Sequence, residues 1–299
     1  MFQADLRPLG FGEILDGAFT LYRRHFVSFF VTALVPFVPI AILSAEFTRR
    51  SAALQSTPNA SLSDFPWGWM LAAAIVATVG ISIVWGALTR EISAAVTGGE
   101  VSAEDGYGTA LRALLPLLGA GVLAWGVMVG AVTLATLLFG LATAAFAVAG
   151  GIAALFFGML GALAIGFMFA FLAASFFAMV PAVVVEKLGP WTALKRSWRL
   201  SRGARWRIVG LILVSYLITV LPVLGVGMAT GTLGAWISPA AAAALSPGEL
   251  AFQQVASTLS GALTTPFFVG CLVLLYYDRR VRSEGYDVEL AAEGLAVAG

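Results

Sequence analysis

Between Ala113 and Val185 the chain runs 73 residues without one Asp, Glu, Lys, Arg, His, Asn or Gln. A water-soluble domain cannot fold around such a run, because some part of it would have to face water. One membrane crossing takes about 20 residues at 1.5 Å rise over a hydrocarbon core about 30 Å thick. The run is too long for one crossing and predicts two long helices, with the far turn between Gly140 and Gly151. Composition agrees. Of 299 residues, 60% are hydrophobic and only 11% charged, against about 25% charged in soluble domains. The fold class is therefore all-α, a polytopic membrane helix bundle.

Hydropathy predicts six spans, at Phe26–Glu46, Trp67–Leu88, Ala113–Gly140, Gly151–Val185, Ile208–Trp236 and Phe252–Tyr277. The chain reads as one integral membrane domain over 1–299, with an interfacial segment at 1–25 and a tail at 278–299. Orientation follows from the basic residues. Fifteen of the 17 fall in segments on one side, and only Arg49 and Arg50 fall on the other. The positive-inside rule then predicts that both termini are cytoplasmic. Arginine exceeds lysine 15 to 2 and alanine is abundant, a bias expected of a GC-rich bacterial genome.

A short pattern recurs before the first, third and fifth spans. Gly17, Thr20 and Arg23 match Gly106, Thr109 and Arg112, which match Gly189, Thr192 and Lys195. The predicted unit is a short interfacial helix followed by two spans, used three times about the membrane normal.

The third interfacial helix, from Pro190 to Arg202, is the richest. Trp191, Leu194, Trp198 and Leu200 supply apolar surface, while Lys195, Arg196, Arg199 and Arg202 supply charge. Such a helix suits a headgroup boundary, where each basic residue near an anionic leaflet contributes about 1 kcal/mol. Two readings stay open for these four residues. They contact anionic headgroups or a partner, or they enforce topology and snorkel to water.

The chemistry of catalysis lacks its parts. His25 is the sole histidine and Cys271 the sole cysteine, so no two-histidine metal helix or cysteine cluster can form, and His25, at the start of the first span, has no carboxylate motif around it to complete a serine-hydrolase triad. No catalytic, cofactor or metal-binding residues are expected, and no nucleic-acid partner. The drawn spans carry no deep charge, which argues against ion-coupled transport. The small-xxx-small pairs Gly126/Gly130 and Gly227/Gly231 predict close helix packing. Gln253, Gln254, Ser257, Ser260, Thr264 and Thr265 make the sixth span the most polar, and that span is the expected lining of any cavity.

Three segments carry a family resemblance. They are the opening Arg7-Pro8-Leu9-Gly10-Phe11-Gly12-Glu13, the stretch from Val183 through Glu186, Pro190 and Arg196-Ser197-Trp198 to Leu200, and the stretch from Leu275 through Asp278 and Arg280 to Asp287. Together they resemble the membrane domain of some bacterial glycerophosphoryl diester phosphodiesterases, which also occurs alone. The resemblance implies a six-span module without the catalytic barrel, since no soluble stretch here is of domain length. It brings motif positions but no functional residues. Arg279 departs from the pattern, where an apolar residue is expected. Glu186, Asp278 and Arg280 are expected to form a structural clamp, with Asp278 pairing with the basic helix at 190–202.

The leading expectation is a non-catalytic scaffold or lipid- and partner-binding module of a bacterial cytoplasmic membrane. Its partners would be anionic lipid headgroups and a membrane or cytoplasmic protein. The alternative is a transporter or lipid-translocating protein with a path near the sixth span.

Overall fold

The computed structural model describes residues 7–55, 61–149, 151–229 and 246–286. Its helices in chain order are α1 (Phe11–Arg24), α2 (Phe26–Gln55), α3 (Trp67–Thr97), α4 (Ala103–Arg112), α5 (Leu114–Ala149), α6 (Gly151–Phe176), α7 (Met179–Val184), α8 (Pro190–Ser201), α9 (Arg205–Ala229) and α10 (Pro247–Glu284). No strand occurs among the described residues. Six helices are long and apolar enough to cross a membrane: α2, α3, α5, α6 continued by α7, α9 and α10.

The short helices α1, α4 and α8 each precede a pair of long ones and gather at one end of the bundle. There α1 packs on α10, α4 on α3 and α2, and α8 on α5, α7 and α10. Because this end holds most of the arginines, it is termed the basic end below. The threefold pattern is only partly kept in packing. Gly17 lets α1 approach Leu274, and Gly106 lets α4 approach Glu91 and the Ala87 carbonyl, whereas Gly189 precedes α8 in open space.

The core is concentrated at the basic end, around the second half of α10. Phe267 to Tyr277 pack there with Ile14, Ala18 and Leu21 of α1, Phe29 of α2, Val84, Leu88 and Ile92 of α3, and Ile208 and Leu211 of α9. A second cluster joins Leu117 and Ala120 of α5, Ala182 to Val184 of α7, and Ala193 and Leu194 of α8. Away from that end the α5–α6 pair presents apolar side chains outward, with Leu141 at 70% and Ile152 at 86% exposure. That pattern suits lipid as the surrounding solvent.

Several predicted spans end early relative to the helices observed. The turn expected between Gly140 and Gly151 falls at the far end of that range, because α5 continues through Gly140 to Ala149 and α6 opens at Gly151. α3 runs to Thr97 and α10 to Glu284, well past their apolar stretches. Both stop where a glycine, Gly98 or Gly285, adopts the left-handed conformation (φ 79° and 68°) that favours a residue without Cβ. The fifth span is seen to Ala229, and its expected remainder to Trp236 lies outside the described residues, as does the tail beyond residue 286.

The fourth span is interrupted. α6 ends at Phe176 and α7 begins at Met179, two residues before Pro181. A proline removes its own N–H and clashes with the carbonyl four residues earlier, here Phe177, which is where the helix breaks. Ser197 of α8 repairs the gap. Its hydroxyl accepts from the Ala178 N–H (3.0 Å) and donates to the Ser175 carbonyl (2.8 Å).

The expectation that Gly126 and Gly130 mark close helix packing does not hold within the chain. A Cβ at either would meet nothing within 4 Å, whereas one at Gly161 would collide with Phe139 at 2.8 Å. The partner of Gly161 is the facing helix of the same hairpin. Gly126 and Gly130 turn away from it.

Candidate functional site

α8 is built to show one face and hide the other. Gly189 precedes it in extended conformation and Pro190 opens it, a position where the missing N–H costs nothing. Ala193, Leu194, Ser197, Leu200 and Ser201 are buried. Trp191, Lys195, Arg199 and Arg202 are exposed and spaced i, i+4, i+8 and i+11, so they form one stripe along the helix. The Lys195 ammonium lies 5.1 Å from the centre of the Trp191 ring.

Arg196, the fourth basic residue expected in a contact surface, points elsewhere. Its Nε donates to both Glu186 oxygens (3.0 and 2.8 Å) and its Nη2 to Glu284 (2.8 Å). A second contact joins its Nη1 to Glu284. Its guanidinium therefore titrates even higher than usual, chiefly through the bonds to Glu284 and then Glu186. Glu186 also accepts from the buried Tyr276 hydroxyl (2.6 Å). Arg280 sits 3.5 Å from Glu284 and stacks 3.7 Å from the centre of the Tyr286 ring. Glu186, Arg196, Arg280 and Glu284 thus tie the α7–α8 loop and α8 to α10.

Asp278 is also knotted in, but through different partners from those expected. It accepts from the Leu9 N–H (2.8 Å), from Arg282 (2.8 Å) and from Arg207 at the start of α9 (3.1 Å). Arg207 and Arg282 both donate to the Leu9 carbonyl, at 2.5 and 2.8 Å. No described residue of the 190–202 helix bonds Asp278. Instead the link from that helix to α10 uses Arg279, whose Nε and Nη2 donate to the carbonyls of Leu200 (2.9 Å) and Arg202 (3.2 Å). A cation at a helix C-terminus satisfies its last carbonyls and opposes the dipole. Arg279, the departure from the resembled pattern, is thus the residue that caps α8.

One polar cluster has no counterpart in the sequence reading. Glu91 of α3 is 1% exposed. The hydroxyls of Ser28 and Thr32 on α2 donate to its two oxygens, at 2.8 and 2.6 Å. Tyr107 of α4 donates to the Thr32 carbonyl at 2.8 Å. Burial, with the Glu91 carboxylate nearby, pushes the Tyr107 hydroxyl up to about 12, which keeps it a donor. The cluster ties α2, α3 and α4 together. Its signal in the sequence was Ser28 and Thr32, four apart on an apolar helix. Glu91 lies beyond the span drawn to Leu88, near the end of α3, which continues to Thr97 and buries the carboxylate there.

A cavity of about 540 Å³ lies between α6 and α9, lined by residues that include Phe167, Phe171, Arg205, Trp206 and Val209. This is away from the sixth span, where a cavity was expected. The hydroxyls of Ser257, Thr258 and Thr264 on α10 donate to carbonyls three or four residues earlier in their own helix. They are satisfied locally. Among the described residues no group of three His, Cys, Asp or Glu side chains gathers to hold a metal.

Residues 12–279 match a family described as a domain of unknown function, DUF7847. The chain belongs to the DUF7847 family. The match starts within α1 and ends at Arg279, so it takes in the α8 stripe, the Glu91 cluster, Asp278 and the capping arginine of this DUF7847 member. No curated protein and no solved structure matches the chain.

Proposed function

We propose that this chain is a non-catalytic module of a bacterial cytoplasmic membrane. Its basic end faces the cytoplasm and contacts anionic headgroups through α8. The observation that carries the reading is the exposed stripe of Trp191, Lys195, Arg199 and Arg202 on a helix whose other face is locked. Charges serving topology alone need no common face and no rigid mount. Here the mount is elaborate: Arg196 reaches α10 through Glu284, Ser197 reaches the α6–α7 break, and Arg279 caps the helix end. A tryptophan at the start of such a stripe suits the headgroup level.

The same face would serve a protein partner brought to that leaflet. Kinship with the membrane domains of glycerophosphoryl diester phosphodiesterases belongs to this proposal as well, as a module used without the catalytic barrel. A transport path along the sixth span draws no support from Ser257, Thr258 and Thr264 of α10, whose hydroxyls bond within their own helix.

The test neutralises Lys195, Arg199 and Arg202 together as glutamines. In mixed phosphatidylglycerol and phosphatidylcholine bilayers, the enrichment of phosphatidylglycerol around the protein is then measured. Each charge contributes about 1 kcal/mol near an anionic surface, so the enrichment should largely vanish and the salt dependence with it. Equal enrichment around the triple variant would refute the reading.

A further inference from the structure

The cavity between α6 and α9 is lined by an arginine with one unsatisfied donor. Arg205 opens α9, and its guanidinium carbon lies 4.4 Å from the ring centres of both Phe171 and Trp198. The two rings are nearly perpendicular (78°, centres 5.9 Å apart), so they wall the guanidinium on two adjoining sides and offer no hydrogen-bond acceptor to its N–H groups. Among the described residues the Arg205 Nε is buried without a hydrogen-bond partner. Its neighbour Arg207 differs, being committed to Asp278 and the Leu9 carbonyl. Buried donors are almost always paired, and a charged one left unpaired is costly.

The surroundings specify the missing acceptor. The arginine stands where the apolar helix α9 begins, at the boundary between polar and apolar surface. Phe167 and Trp206, with rings 5.2 Å apart, flank the cavity and are 55% and 69% exposed. An acceptor that suits both parts is anionic at one end and apolar at the other.

We infer that this cavity binds the headgroup phosphate of one anionic phospholipid, held by Arg205, with the glycerol and upper acyl chain against Phe167, Trp206 and Val209. A free phosphate would meet the arginine but leave the aromatic wall unused. The inference rests on the basic end lying at a headgroup layer. It assigns a discrete site to a residue outside the exposed stripe of α8.

The test uses the full chain in nanodiscs of phosphatidylcholine with a minor fraction of phosphatidylglycerol, followed by native mass spectrometry. Wild type should retain one phosphatidylglycerol after the surrounding lipid is stripped. Arg205→Gln should lower that retention about tenfold or more, the loss of a charge-assisted hydrogen-bonded contact. The Lys195→Gln, Arg199→Gln, Arg202→Gln variant should keep the single lipid while losing the wider enrichment, which separates this site from the stripe. Val209→Phe fills the cavity with Arg205 intact and should also lose the lipid, and it decides the matter if Arg205→Gln does not fold. Wild-type retention in a folded Arg205→Gln protein, or in Val209→Phe, would overturn the inference. So would displacement of the lipid by inorganic phosphate alone, since the aromatic wall would then contribute nothing.

Discussion

The carboxylate of Asp278 on α10 accepts a hydrogen bond from the backbone N–H of Leu9, 2.8 Å away in space and 269 residues away in sequence. Arg207 and Arg282 close the arrangement by bonding both Asp278 and the Leu9 carbonyl. The first described segment, the start of α9 and the end of α10 are thereby fixed to one point. Removing one partner of a buried pair costs about 3–5 kcal/mol. Arg207 and Arg282 keep part of their surface in solvent, so Asp278→Ala should cost about 2–4 kcal/mol. Thermal unfolding in detergent measures this, and an unchanged midpoint would show that the knot does not hold the basic end.

Ser197 makes a sharper case, because its hydroxyl serves a helix break rather than a charge. Ser197→Ala leaves the Ala178 N–H and the Ser175 carbonyl without that partner in a buried place. A buried group left unsatisfied costs about 1–3 kcal/mol. The expected result is a lower unfolding midpoint, together with faster amide exchange at Ala178. Protection equal to wild type at Ala178 would mean that another group closes the break.

The six apolar spans were legible because hydropathy is a local property, and the basic residues were legible as a one-sided set for the same reason. What the sequence could not display were pairings across the chain. Asp278 was expected to pair with the basic helix, yet two of its partners are Leu9 and Arg207, which reach it only once the segment before α1 and the start of α9 pack on α10, and the third, Arg282, is its neighbour one turn on. Helix ends were hidden for a related reason. α3 and α10 continue beyond their apolar stretches because polar side chains such as Glu91 and Asp278 find tertiary partners there. α8 was visible as amphipathic, but its charges divide by face. Arg196 turns inward to Glu186 and Glu284, while Lys195, Arg199 and Arg202 stay out.

The Glu91 cluster predicts coupling between two helices. Thr32→Val removes one donor to the carboxylate, and Glu91→Gln alters the acceptor. Because the two groups touch, their effects should not add. A double-mutant cycle on unfolding free energy should give an interaction of about 0.5–3 kcal/mol. A coupling of zero would mean that the 2.6 Å contact does not contribute to stability. Gly106→Val probes the same place from α4, since even a Cβ there would lie 3.0 Å from Glu91 Oε1 and 3.1 Å from the Ala87 carbonyl. It should weaken the seating of α4 on α3, read as protease sensitivity near residues 98–102.

His25, between α1 and α2, gives a pH dependence of known sign. Burial, and then the neighbouring Arg24 charge, hold its imidazole below the ordinary value of 6.5. The unfolded chain therefore takes up a proton before the folded one does. This contribution to stability is fully present above about pH 6.5 and is lost as pH falls through the lower folded value. His25→Gln should flatten that part of the profile, measured as the unfolding midpoint between about pH 7 and 5. A wild-type slope retained in His25→Gln would assign the effect to another group.

The most direct test of the central claim is the depth of α8 in a bilayer. Thr192 is exposed beside the basic stripe, and Cys271, the only cysteine, is buried. A spin label at Thr192→Cys in a Cys271→Ser background reports depth by its relaxation with oxygen and with a water-soluble paramagnet. The account predicts a label at the headgroup level, drawn deeper or immobilised as phosphatidylglycerol replaces phosphatidylcholine. A label in bulk water, indifferent to lipid charge, would contradict it.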